Sequence, residues 1–179
     1  MPRPVDDLML LLLRDDAQAR APLEEAWTAA AGDEAQRTVL AALFVLAVHV
    51  EFADFRDLDR WVDRLTAAGP APSLPLPPLD RLRVDAAWLV LPSLDHRFEH
   101  DAETVRAAAA RVHDALRGGR LPPGDEGVLL AKALYDHASI EDDQSLCERV
   151  AATVNDRLRS AVVSASWQAR WWLMQEASL

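Results

Sequence analysis

The stretch VLAALFVLAVHV, residues 39–50, constrains this chain more than any other. Apart from His49 it holds no polar side chain, so as a helix it has no face to offer water and must be covered on several sides. VDAAWLVL (84–91) is nearly as apolar. Three other segments place their apolar residues on one face only: Phe55, Leu58, Val62 and Leu65; Val105, Ala109, Val112 and Leu116; Leu146, Val150, Val154 and Leu158. Helices buried all round that alternate with helices buried on one side suit a stack of hairpins, each lying between neighbours. Leu43, Leu46 and Leu89 are therefore expected to be deeply buried, and Arg60, Arg106 and Arg149 exposed.

The breakers divide the chain into pairs. A first pair is predicted at about 5–19 and 22–31, with Pro22 in a first helical turn and Gly32 as a C-terminal stop. A second pair covers about 34–53 and 55–68, opened by the capping signal Asp33 with Gln36 and closed by Gly69-Pro70. GPAPSLPLPP (69–78) is a stiff connector. A third pair runs about 80–92 and 102–117, with Asp101 as cap and Gly118-Gly119 as stop. After the connector RLPPGD (120–125), a fourth pair covers about 126–139 and 144–159, and a ninth helix about 164–177 stands without a partner. Few stretches alternate as a half-buried strand must. The expected fold is all-α, one domain over 1–179 made of stacked antiparallel hairpins. A compact bundle would also satisfy the same apolar faces.

Charge narrows the partners. With 29 acidic against 19 basic residues the net charge is −10, a surface that repels phosphate backbones and argues against direct nucleic-acid binding. All but Lys132 of the basic residues are Arg, which together with the abundant Ala reads as a GC-rich bacterial genome. No apolar run approaches the ~18 residues that span a bilayer. LMLLLL (8–13) lies between acidic flanks, unlike a secretory segment. A cytoplasmic protein without membrane contact is expected. Cys147 is the only cysteine, so neither an intrachain disulfide nor a thiolate metal cage can form; it falls on the apolar side of its helix.

FADFRDLDRWVDRL (52–65), DEGVLLAKALYDHASIEDDQSLCERVAATV (125–154) and WQARWW (167–172) share an acidic turn ahead of a second helix with a Trp or Leu anchor. In these segments, and over roughly residues 35–179, the chain resembles the tetratricopeptide-like helical-repeat arms of large bacterial transcriptional regulators and signalling ATPases. The resemblance implies an α-solenoid of about nine helices that senses an effector or docks a protein, while DNA binding and nucleotide hydrolysis belong to other domains. The endings RL at 64–65, AL at 115–116 and RL at 157–158 are 51 and 42 residues apart, a loose repeat stretched by the proline connectors.

Only one motif points to chemistry. His96, Glu99 and His100 spell H-x-x-E-H, in which two histidines one turn apart hold a metal and the glutamate activates water, with Glu176 available as a third ligand. Pro92 and Ser93 before it and the capping Asp101 after it place the segment in a turn, and the expected reading is a polar loop. A metal-dependent hydrolase is the alternative. There is no G-x-S-x-G elbow and no phosphate loop. Asp136, His137 and Ser139 point different ways around one helix and cannot form a triad. His49 is expected as a hydrogen-bonded core histidine, and EDD (141–143) as a solvated turn capping the next helix.

The leading expectation is a non-catalytic interaction or effector-sensing module without a cofactor, holding a protein segment or small effector in a groove lined by the first helices. Arg83, Lys132 and Tyr135, which interrupt otherwise buried helices, are candidates to line it; solvent-edge contacts are the plainer reading of all three. Trp27, Trp61 and Trp88 are expected as core anchors. Trp167 and Trp171 share a face of the last helix, while Trp172 turns about 100° away. Trp172 is therefore placed at an edge, against a neighbour left out of a longer protein or against a second copy in a homodimer.

Overall fold

The computed structural model describes residues 5–14, 16–51, 57–67, 74–94, 102–159 and 163–177. Among them are nine helices and no strand: α1 (Val5–Arg14), α2 (Asp16–Ala29), α3 (Glu34–Glu51), α4 (Leu58–Ala67), α5 (Pro78–Leu94), α6 (Ala102–Arg117), α7 (Asp125–Ile140), α8 (Gln144–Leu158) and α9 (Ala165–Ala177).

The local signals act where the sequence places them. Asp33 Oδ1 accepts the Gln36 N–H at 2.9 Å and opens α3. Asp143, the last residue of the EDD run, does the same for Leu146 and opens α8. Gly32 (φ 91°) and Gly119 (φ 64°) sit in the left-handed region just after α2 and α6, where a side chain would be strained.

Two prolines depart from expectation. Pro22 lies inside α2 rather than at its start: α1 ends at Arg14 and α2 begins at Asp16, ahead of the break expected between residues 19 and 22. Ala19, Leu23 and Ala26 on either side of it are almost fully buried, so packing holds the helix through the missing N–H. Pro92 is likewise inside α5, which continues to Leu94; there the Ser93 hydroxyl donates to the Val90 carbonyl at 2.7 Å. Phe55, Gly69-Pro70 and Asp101 lie outside the described residues.

The hairpins stack with their odd-numbered helices inward. α3 packs on α5 and α5 on α7, while α2, α4, α6 and α8 each lie against the helix before them. Burial follows: residues 38–48 of α3, 83–91 of α5 and 127–131 of α7 are buried without a break. Leu43, Leu46 and Leu89 are inaccessible to solvent, and Arg60, Arg106 and Arg149 are exposed. α1 touches α7 as well as α3, so the stack curls back until its first and last hairpins meet.

One close approach fixes the fourth hairpin. A Cβ on Gly127 would stand 2.0 Å from the Pro122 carbonyl oxygen, so the first turn of α7 can lie this close to the 120–124 connector only with glycine there. The same carbonyl accepts Arg157 Nη1 from α8 at 3.0 Å. α9 then packs back on the stack: the Trp167 indole donates to the Leu13 carbonyl at 3.3 Å, and the Trp171 indole donates to Asn155 at 2.9 Å. No helix among the described residues is long and apolar enough to cross a membrane.

Candidate functional site

The polar residues singled out from the sequence separate into different environments. Arg83 lines no groove. It is 2% exposed and bonds three carboxylates: Glu126 through Nε at 2.7 Å, Asp80 at 2.7 Å and Asp6 at 2.8 Å. Burial disfavours the Arg83 cation, but Glu126, Asp6 and Asp80 together hold its pKa further above the usual arginine range. The residue ties the starts of α1, α5 and α7 at one end of the stack, a structural task. Asp85 in α5 is as buried and takes a two-pronged bond from Arg111 of α6, both contacts at 2.7 Å. Tyr135 is half-buried with its ring edge against Trp171, the centroids 5.6 Å apart. Trp172 is 49% exposed beside the exposed Leu173. His96, Glu99 and His100 lie outside the described residues, as does the side chain of Glu176.

Lys132 belongs to a cluster that the sequence did not reveal. His49 near the end of α3 donates through Nε2 to Asp136 Oδ2 at 2.5 Å, and Lys132, one turn before Asp136 on α7, bonds the same oxygen. A single carboxylate thus serves an ammonium and an imidazole. Burial, and then the Lys132 charge, push the His49 pKa below its ordinary 6.5 against the pull of Asp136. Asp136 is also held below its usual range: burial raises it, but His49 and Lys132 outweigh that.

Both shifts have the same consequence for stability. Where the unfolded histidine is protonated and the folded one is not, acid favours unfolding. Stability is therefore expected to fall as pH drops below about 6.5 through the His49 step, and again below about 4 as Asp136 protonates. In His49→Gln the first loss should be reduced while the second remains, which thermal melts across that range will show.

The recess best furnished for a ligand lies elsewhere, between α2, α3 and α4. It encloses about 540 Å³, within the usual size of small-molecule sites, and its walls carry Trp27, Glu34, Arg37, Arg60, Asp63 and Arg64. Trp27 is half-buried rather than a core anchor; its ring meets Trp61 edge-on at 5.4 Å and supports two guanidiniums, Arg64 at 4.5 Å and Arg37 at 5.1 Å from its centroid. Glu24 holds Arg64 through both carboxylate oxygens, at 3.0 and 3.1 Å, and also Arg60 at 2.5 Å. Arg37 has no carboxylate among the described residues, and its Nε is buried without a hydrogen-bond partner. The lining holds neither histidine nor cysteine, and Thr38, its hydroxyl residue, donates to its own helix at Glu34.

No local pattern in the sequence encodes this recess, because its walls come from three helices. Trp27 was the available signal, a tryptophan on a helix of modest amphipathicity. A second recess of about 470 Å³ lies between α5 and α6, walled by Arg81, Arg111, Arg120 and Asp114. It occupies the matching place on the next hairpin, where the start of one helix faces the end of the following one. No protein-family model, curated protein or solved structure matches the chain.

Proposed function

We propose that the chain is a non-catalytic, effector-sensing or protein-docking helical-repeat module of a cytoplasmic bacterial protein, of the kind that serves as a regulatory arm of transcriptional regulators. The α2–α4 recess carries this reading. It combines an aromatic floor, permanent charges of both signs and an arginine without a counter-ion among the described residues, and its lining offers no nucleophile beside a base, which suits holding a ligand better than transforming one. The like-placed recess on the next hairpin supports a repeated architecture. Amide hydrogen exchange in the presence of small molecules and peptides pooled by chemistry tests the reading. Slower exchange confined to residues 24–38 and 57–67 is the expected result; a panel that slows exchange nowhere, or only around α9, removes the recess as the site.

The exposed pair Trp172 and Leu173 favours a second, compatible contact, a homodimer through α9. Trp167 and Trp171 already face inward, so this edge is free for a second copy. Trp172→Asp is expected to sediment as a monomer at micromolar concentration with an unchanged far-ultraviolet spectrum. A monomeric parent protein would end the dimer reading and leave the recess untouched.

A further inference from the structure

We propose that the α2–α4 recess binds a small amphoteric molecule of the amino-acid class, its carboxylate on Arg37 and its ammonium toward Glu34 and Asp63. The inference rests on the effector-sensing reading and names the ligand class.

Of the three arginines that line the recess, Arg60 and Arg64 hold carboxylates and Arg37 holds none among the described residues. Arg37 lines the recess half-buried; its Nε is sealed and unsatisfied, so a ligand meets the terminal Nη groups of its guanidinium. No carboxylate among the described residues pairs with them. Glu24 is taken up by Arg60 and Arg64, and Asp57 is shared by Arg60 and Arg20. Trp27 holds the Arg37 guanidinium from one side, so the fork is oriented before a ligand arrives. A planar fork of this kind matches a carboxylate through two parallel hydrogen bonds.

The rest of the wall limits the ligand's charge. Glu34 and Asp63 both line the recess, both are exposed, and neither has an ion-pair partner among the described residues. The unpaired groups therefore amount to one cation and two carboxylates. A dianion such as a phosphate monoester meets one favourable and two unfavourable charges, and a simple amine leaves Arg37 unsatisfied. A molecule with one carboxylate and one ammonium satisfies both sides. Trp27 and the aliphatic stems of the arginines leave room for an apolar side chain between them.

Four probes that share a phenyl ring separate the possibilities: phenylalanine, 3-phenylpropionate, phenethylamine and phenyl phosphate. Each is titrated into the whole chain while the Trp27 indole N–H resonance is followed, assigned through its loss in Trp27→Phe. Phenylalanine is expected to bind most tightly, with 3-phenylpropionate next. Arg37→Gln should weaken phenylalanine about tenfold or more, the loss of a charge-assisted hydrogen-bond pair. Glu34→Gln with Asp63→Asn, both at exposed positions, should bring phenylalanine down to the affinity of 3-phenylpropionate. Arg81→Gln in the neighbouring recess should change nothing. Tighter binding of phenyl phosphate or phenethylamine than of phenylalanine would overturn the ligand class and keep the recess as a site. An equal loss in Arg81→Gln would overturn the assignment to Arg37. If no probe moves the Trp27 resonance at millimolar concentration, the ligand class falls; if the pooled compounds also leave exchange at 24–38 and 57–67 unaltered, the sensing reading falls with it.

Discussion

Arg83→Ala is expected to lose about 3 kcal/mol of stability, measured as a lower urea midpoint with an unchanged slope. The guanidinium sits where α1, α5 and α7 begin together and bonds Glu126, Asp80 and Asp6. Removing it leaves the Glu126 and Asp80 carboxylates, 12% and 21% exposed, without the cation they share and with little water. Asp6, at 75% exposure, is solvated in either case and adds little, which keeps the estimate at the lower end for a broken buried pair. Arg83→Lys should fall between the two, because an ammonium cannot span three carboxylates with a fixed fork. Arg83→Met combined with Glu126→Leu should regain much of the loss, since an apolar pair leaves less charge stranded. If Arg83→Ala melts like the parent, the helix starts are held by packing alone.

A loss of comparable size, about 2–5 kcal/mol, is expected for Leu46→Ala through the cavity left behind. Leu46 lies in the unbroken buried run of α3 and is inaccessible to solvent. α1, α4, α5 and α7 all touch that helix, so a gap cannot close by moving one neighbour. Leu10→Ala on α1 is the control: its side chain is 50% exposed, and the change should stay within about 0.5 kcal/mol. Denaturant midpoints of the three proteins give the comparison. A Leu46→Ala loss below about 1 kcal/mol would mean that the interior does not centre on α3.

Most of the helical framework was legible because the signals that specify it reach no further than about one turn. The caps at Asp33 and Asp143, the stop at Gly32 and the bounds of α6 and α8 depend on residues three or four apart. The division between inner and outer helices was legible for a related reason. A segment such as residues 39–50 has only one way to avoid water, whatever surrounds it. The same reasoning placed Trp167 and Trp171 inside and Trp172 outside, as burial shows. Local rules misled at Pro22 and Pro92, where packing from other helices carries α2 and α5 through residues that break an isolated helix.

What the chain does with its polar groups was set at longer range. Arg83 meets carboxylates 43 and 77 residues away, His49 meets Asp136 across 87 residues, and Arg64 meets Glu24 across 40. No spacing in the sequence encodes these pairs, because they depend on which helix ends the stack brings together. The same holds for Arg37, which lacks a carboxylate partner among the described residues although Glu34 and Asp63 line the same recess. Sequence by itself determined which segments become helices and which of their faces avoid water, through interactions between near neighbours. Only the tertiary structure decided which arginine is buried as a tie between helices and which is left open beside a tryptophan, because that choice depends on distances between helices that the local chain does not control.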